Sequence, residues 1–193
     1  MRVVAGVARG RGLRAPPGRG IRPTRDRVRE AVFAMLDSMG AVQEAQVADL
    51  FAGSGALGIE ALSRGAAAVT FVDNDPRALA AVRANLEVLG PGGGGRARLV
   101  RADVPTWVAA NGGSAPGTGD ATGAFDLVLC DPPYGFDRWG AVYAGLGAGL
   151  VVAESDAPVD PPAGWRTLRV RRYGSTVVTL ACPLNAPPPK GTE

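Results

Sequence analysis

Five short apolar runs recur along the chain, and each ends in or beside an acid or a glycine. They cover residues 47–53, 68–75, 97–103, 125–131 and 151–155. Short apolar runs bounded in this way read as buried strands. Helix-like stretches separate them, reaching to about Arg64 and then covering 76–90, 104–111 and, more weakly, 139–150. The stretch 76–90 has Pro76 in its first turn and Gly90 at its end, the expected asymmetry. Strands alternating with helices predict a doubly wound α/β sheet.

Other segments frame this core. Residues 2–16 read as two short strands around a glycine-rich turn, an N-terminal β-hairpin. Val28, Val32, Met35 and Leu36 predict an amphipathic helix over 25–38, with Thr24 offering a cap. Residues 165–182 read as two strands meeting near Gly174. The glycine-rich stretch 91–96 and the low-complexity stretch 112–124 read as loops, and the proline-rich end 183–193 as a disordered tail. The expected organisation is a basic arm over 1–24, one domain over 25–182, and the tail.

In such sheets ligands sit beyond the carboxyl ends of the strands. There the sequence places residues 53–58, Asp73, Asp103, 131–134, and Glu154 with Ser155. Gly53, Gly55 and Gly58 form G-x-G-x-x-G between a strand and a helix, and Asp73 follows about 20 residues after Gly53. That pattern binds a nucleotide-like cofactor and alone does not separate NAD from S-adenosylmethionine. Asp49, four residues before Gly53, favours the latter. A carboxylate there can orient the loop or face a cationic methionine end. Asp103 can accept from an adenine amino group or cap the helix that follows it.

The run LVLCDPPYG ends in a rigid acceptor pair. An exocyclic amino nitrogen is a poor nucleophile because its lone pair is delocalised into the base. The Asp131 carboxylate and the Pro132 carbonyl can accept its two N–H bonds and aim the lone pair at a methyl group. The prolines fix φ and hold the turn. Tyr134 offers a face for a flipped or single-stranded base, at roughly 1–3 kcal/mol per stacked base.

Composition narrows the chemistry. The chain has 193 residues and no histidine, which excludes Ser-His-Asp and Cys-His machinery and His-ligated metals. No metal site is expected. Cys130 and Cys182 read as buried, reduced thiols. No apolar run approaches the roughly 18 residues of a membrane span, and a soluble, cytoplasmic protein is expected. Net charge is +3, yet nine arginines against Asp26 and Glu30 leave +7 within residues 1–30, and the remainder nets −4. A basic arm on a near-neutral body predicts a polyanionic partner, RNA above all.

The segments RPTRDRVREAVF (22–33), DLFAGSGALGIEALSRGA (49–66), FVDND (71–75), DPPY (131–134) and ES (154–155) resemble the RsmD family over nearly the whole chain. The resemblance implies a Rossmann-like class I S-adenosylmethionine-dependent methyltransferase sheet with the hairpin as an extension. It implies methylation of the N2 amino group of a guanine in 16S rRNA, G966 in the usual rRNA numbering, on the small ribosomal subunit, by a monomer. It implies cofactor contacts from Asp49, Phe51, Gly53, Ser54, Gly55, Gly58, Asp73, Asn74, Asp103 and Asp131. Catalysis would fall to Asp131, Pro132 and Tyr134. RNA contacts would come from Arg9, Arg11, Arg22, Thr24, Arg25, Pro133 and Tyr134.

Other readings remain. DNA adenine-N6 and protein glutamine methyltransferases typically carry Asn-Pro-Pro-Tyr, and the acid at 131 opposes them. A non-catalytic ribosome-assembly factor is opposed by the intact Gly53, Gly55, Asp73 and Asp131. An NAD oxidoreductase is opposed by the missing histidine and by Asp49.

Overall fold

The computed structural model describes residues 1–15, 23–90, 93–111 and 125–186, with the backbone alone over 23–25. Its elements are α1 (Pro23–Ser38), β1 (Gln46–Leu50), α2 (Ala56–Ser63), β2 (Ala68–Asp73), α3 (Pro76–Leu86), β3 (Ala97–Arg101), α4 (Val104–Asn111), β4 (Phe125–Cys130), α5 (Trp139–Ala144), β5 (Ala148–Ser155), β6 (Trp165–Tyr173) and β7 (Thr176–Pro183). The seven strands form one sheet in the order β3-β2-β1-β4-β5-β7-β6. β1 to β5 are parallel, and β7 runs antiparallel to both β5 and β6. The expected doubly wound sheet is present, closed at one side by an antiparallel hairpin.

Residues alternate between two apolar layers. Val47, Leu127, Leu129, Leu150 and Val152 join Val32, Phe33, Leu36, Ile59, Leu62 and Val82 of α1, α2 and α3. Ala48, Leu50, Val128, Cys130 and Val151 join Val104, Trp107, Val108, Val142 and Tyr143 of α4 and α5. Both faces are covered, which is why the central strands are apolar throughout rather than alternating. Both cysteines are buried and free. No helix among the described residues is long and apolar enough to cross a membrane.

The chain runs outward from β1 through β2 to β3 and then returns to β4 on the other side of β1. That reversal is a topological switch point, where the helices diverge and a crevice opens at the strand ends. Asp49 comes from β1, and Asp131 directly follows β4.

Several boundaries differ from expectation. The helix expected over 139–150 stops at Ala144, and Ala148–Ser155 is strand. Ala148 pairs with Phe125, and a Cβ on Gly149 would lie 3.1 Å from the Asp126 carbonyl oxygen. Glycines that read as weak helix here permit close strand approach. Gly93–Arg96 form a short 3-10 turn rather than loop, because Arg96 donates to the Ala66 and Leu62 carbonyls at 2.8 and 3.4 Å. Pro183 lies in β7 rather than the tail, and Leu184 N donates to Gly164 O at 2.9 Å. The stretch 112–124 and residues 187–193 lie outside the described residues.

The N-terminal hairpin is the largest departure. A single antiparallel bridge, Arg2 with Gly12, replaces the two strands. Between them the backbone turns its N–H groups onto α2. Val7 N donates to Ser63 O at 2.9 Å and Ala8 N to Ser63 Oγ at 3.0 Å. Val3, Ala8 and Leu13 are buried in the same layer as α1 and α2. Residues 1–15 are thus packed into the body of the domain.

Candidate active site

β1 ends in a turn that few sequences can make. Phe51 has φ 58° and Gly53 and Gly55 have φ 55° and 75°. A left-handed non-glycine residue costs about 1–2 kcal/mol, so the surroundings must hold it. They do so with three side chains. Asp49 Oδ2 accepts from Gly58 N at 2.9 Å. Asp73 Oδ2 accepts from Gly53 N at 2.9 Å, and its Oδ1 from Asp75 N at 2.9 Å. Asn85 of α3 donates to Ser54 O at 2.9 Å. Asp49 therefore orients the loop, one of its two expected roles. Asn85 was not anticipated. Its signal was a polar residue on the face of α3 that carries Ala78, Val82 and Leu86, where it is buried.

The electrostatics of the turn are one-sided. Burial, and after it the neighbouring Asp131 and Asp73 charges, push the Asp49 carboxyl well above the usual range, against the Gly58 N–H that favours ionisation. Burial and then Asp131, Asp49 and Glu154 likewise push the Cys130 thiol up. Cys130 stays protonated and offers no nucleophile. Among the described residues no cluster of His, Cys, Asp or Glu could hold a metal ion. The acids gathered at this turn suit a ligand that brings its own positive charge.

Beside this turn lies an open cleft, walled by Asp131, Pro132, Pro133, Tyr134 and Phe136 and by Glu154, Ser155 and Thr176. Cys130 pairs with Ala153 in the parallel β4–β5 register, so Asp131, just past the end of β4, and Glu154, still within β5, are the next residues along the two neighbouring segments. Pro132 is buried, whereas Tyr134 is 51% exposed and presents its ring at the mouth. Phe136 joins the two halves of the site, its ring 5.0 Å from Phe51 and 5.3 Å from Trp139, both edge to face. Glu154, Ser155 and Thr176 complete the walls. Glu154 and Ser155 were foreseen at a strand end and in the family resemblance without an assigned role, and Thr176 was not foreseen.

The remaining residues are dispersed. Asn74 is exposed at the end of β2. Asp103 caps α4: its Oδ1 accepts from Thr106 Oγ1 at 2.8 Å and Thr106 N at 3.2 Å, and its Oδ2 pairs with Arg138 at 3.0 Å. The Thr106 hydroxyl foremost, with its N–H and Arg138, holds the Asp103 carboxyl below its usual value against slight desolvation. Arg9 is exposed, and Arg11 donates to Val88 O at 2.9 Å. Thr24 and Arg25 lie in the first turn of α1, so Pro23, not Arg25, opens the helix. Arg22 lies outside the described residues.

The family model described as "conserved hypothetical protein 95" matches residues 1–182. The chain belongs to the RsmD family. Two relatives show how far the RsmD likeness extends. The Bacillus subtilis (strain 168) protein YlbH is 35% identical over 93% of this chain and 97% of its own. "Ribosomal RNA small subunit methyltransferase D" of Haemophilus influenzae is 32% identical over 90% and 89%. Among solved structures, yhhF from Escherichia coli aligns with TM-score 0.77 at 32% identity, over 95% of this chain and 97% of that one. The RsmD match begins at residue 1, so it includes the N-terminal segment clamped to α2.

Proposed function

We propose that this chain transfers a methyl group from S-adenosylmethionine to the N2 amino group of a guanine in 16S rRNA of the small ribosomal subunit, acting as a cytoplasmic monomer. The observation that carries the reading is that Asp131, Pro132, Tyr134 and Glu154 line one cleft beside the acidic turn. Family membership and the rRNA methyltransferase named among the relatives support it.

The residues present fit the cofactor. Asp49, with Asp73 and Asp131 near it, favours a cationic centre at the switch point. The strained turn at Phe51 and the glycines bring backbone close to a bound molecule. Asp73 keeps acceptor capacity beyond its two loop bonds, and Asn74 beside it is exposed to a ribose. Asp103 lies at the adenine side, its capping bonds leaving acceptor sites on both oxygens. S-adenosylmethionine supplies, when bound, an electrophilic methyl on a positively charged sulfur.

The chain's own groups prepare the acceptor. Guanine presents adjacent N–H donors at N1 and N2. The Asp131 carboxylate and the Pro132 carbonyl take the two N2 hydrogens and localise the lone pair. Glu154, one strand over, takes N1–H, which adenine lacks. Tyr134 stacks on the base. The proton lost from nitrogen leaves to Asp131 or to water, with no covalent intermediate.

The test is methyl transfer from labelled S-adenosylmethionine to small subunits from cells lacking this gene. Protein-free 16S RNA and DNA run alongside, and the labelled base is mapped. Label on one guanine N2 of the subunit is expected. Label on DNA or protein alone would discard the substrate and keep the chemistry. Cofactor binding with no label anywhere would overturn the enzymatic reading.

A further inference from the structure

The edge strand β6 carries Arg166, Arg169, Arg171 and Arg172 in nine residues, with no acid. β7 beside it has no charged residue. Outside residues 1–30 the chain nets −4, so this stripe is a local concentration of charge. Arg166 is engaged, donating to Cys182 Sγ and Ala186 O. Arg169, Arg171 and Arg172 take part in no ion pair among the described residues. Arg171 and Arg172 are exposed.

Register fixes where this charge lies. Arg171 pairs with Val178, and Val178 with Glu154. Arg172 pairs with Val177, and Val177 with Ser155. Two strand spacings are about 10 Å, so these arginines stand roughly that far from the cleft wall. Thr176, the first residue of β7, itself lines the cleft. The N-terminal segment is docked on α2 and α3, towards the opposite side of the sheet order.

We infer that the β6–β7 hairpin is a second RNA-binding surface, in which Arg171 and Arg172, on opposite faces of the edge strand, hold the sugar-phosphate backbone next to the target base. Arg169, paired with Leu180 and through it with Val152, takes a phosphate further along. The inference rests on the reading of the cleft as the place where an RNA base is methylated. A base seated there leaves its flanking phosphates outside the mouth, and these arginines offer cations on this side. Guanidinium forks suit phosphate oxygens. With the N-terminal segment on the other side, RNA is gripped across the cleft rather than from one edge.

Arginines on a sheet edge also discourage edge-to-edge pairing, and the experiment separates the two roles. In the full chain, Arg169, Arg171 and Arg172 are replaced together by alanine, and in a second variant by lysine. Binding to protein-free 16S rRNA is measured against salt, with S-adenosylmethionine affinity, melting temperature, light scattering and, on small subunits, kcat and KM. The alanine variant should flatten the slope of log K against log salt by about 2, since a single-stranded phosphate contact contributes about 0.7. KM for the subunit should rise while cofactor affinity and melting temperature hold, and lysine should restore most of the slope. An alanine variant with wild-type RNA affinity and salt slope overturns the inference, and self-association would then assign the arginines to edge protection. If the wild type methylates RNA and the variant matches it, only this inference fails. If the wild type neither binds nor methylates RNA, the reading of the cleft fails and this surface with it.

Discussion

Glu60 Oε2 accepts the backbone N–H of Val4 at 2.7 Å, across 56 positions of sequence. Its other oxygen accepts from Ala5 at 2.9 Å and from Arg64 Nε at 2.8 Å, and Arg29 lies 3.8 Å away. Arg64 in turn bonds Asp37. Glu60 is fully buried. One carboxylate thus ties the N-terminal segment, α1 and α2 together. Replacing it with alanine strands two N–H groups and takes a carboxylate from beside two guanidinium groups, one of them buried. Glu60→Ala should cost about 3–5 kcal/mol, read as a lower melting temperature. Trypsin should then cut at Arg9, Arg11 or Arg14 before the core opens.

Gly6 tests the same contact more locally. Its φ is +80°, and a Cβ there would sit 1.8 Å from the Ser63 carbonyl oxygen. Gly6→Ala adds about 1–2 kcal/mol of backbone strain and lifts the segment off α2. Amide exchange at Val7 and Ala8 should accelerate and RNA affinity should fall. S-adenosylmethionine affinity, measured by calorimetry, should stay at the wild-type value.

Asp49 ionises at a cost, because burial and neighbouring acids raise its folded-state pKa. In strong acid both folded and unfolded chains hold the proton and no penalty exists. As pH rises through the unfolded value the penalty grows, and it is complete above the folded value. Asp49→Asn should therefore gain stability over wild type at pH 7 and lose that advantage near pH 3. A cationic ligand needs the ionised form, so the same variant should bind S-adenosylmethionine about tenfold or more weakly at pH 7. Unchanged affinity would remove Asp49 from the cofactor's surroundings.

The proposed clamp assigns the N2 hydrogens of the acceptor to Asp131 and Pro132 and its N1–H to Glu154. Asp131→Ala should lower kcat by roughly 10²–10³, the size of losing one charge-stabilising group, with cofactor binding nearly intact. Glu154→Ala should cost roughly 1–3 kcal/mol in kcat/KM and relax discrimination against adenine in a model RNA. Full activity in Asp131→Ala would sink the clamp.

Tyr134 is tested by shape. Tyr134→Phe keeps a flat face and should keep activity. Tyr134→Ala should raise KM by the equivalent of about 1–3 kcal/mol.

Local and periodic features were legible in the sequence. Strands covered on both faces announce themselves as apolar runs, and the acids at or beside their ends mark the crevice in the sequence itself. Asp49, Gly53, Asp131 and Tyr134 fell where strand ends put them. The rest depended on distant partners. Nothing near Val4 says that its N–H meets Glu60, so residues 2–16 read as a hairpin. Ala148 to Leu150 are strand because β4 pairs with them, while their glycine-rich sequence is neutral. Asp103 could cap or recognise, and only the position of Thr106 shows the cap. The β6 arginines are plain in sequence, yet their relation to the cleft needs the register of three strands.

Asn85 accepts from Arg14 N and donates to Arg14 O, each at 2.8 Å, and also donates to Ser54 O. One side chain therefore spans the segment before the arginine-rich stretch and the glycine turn. By thermodynamic reciprocity, whatever factor an occupied turn adds to nucleic-acid affinity, bound nucleic acid must return to the turn. The order in which the two ligands arrive cannot change their combined free energy, only which of them collects the cooperativity.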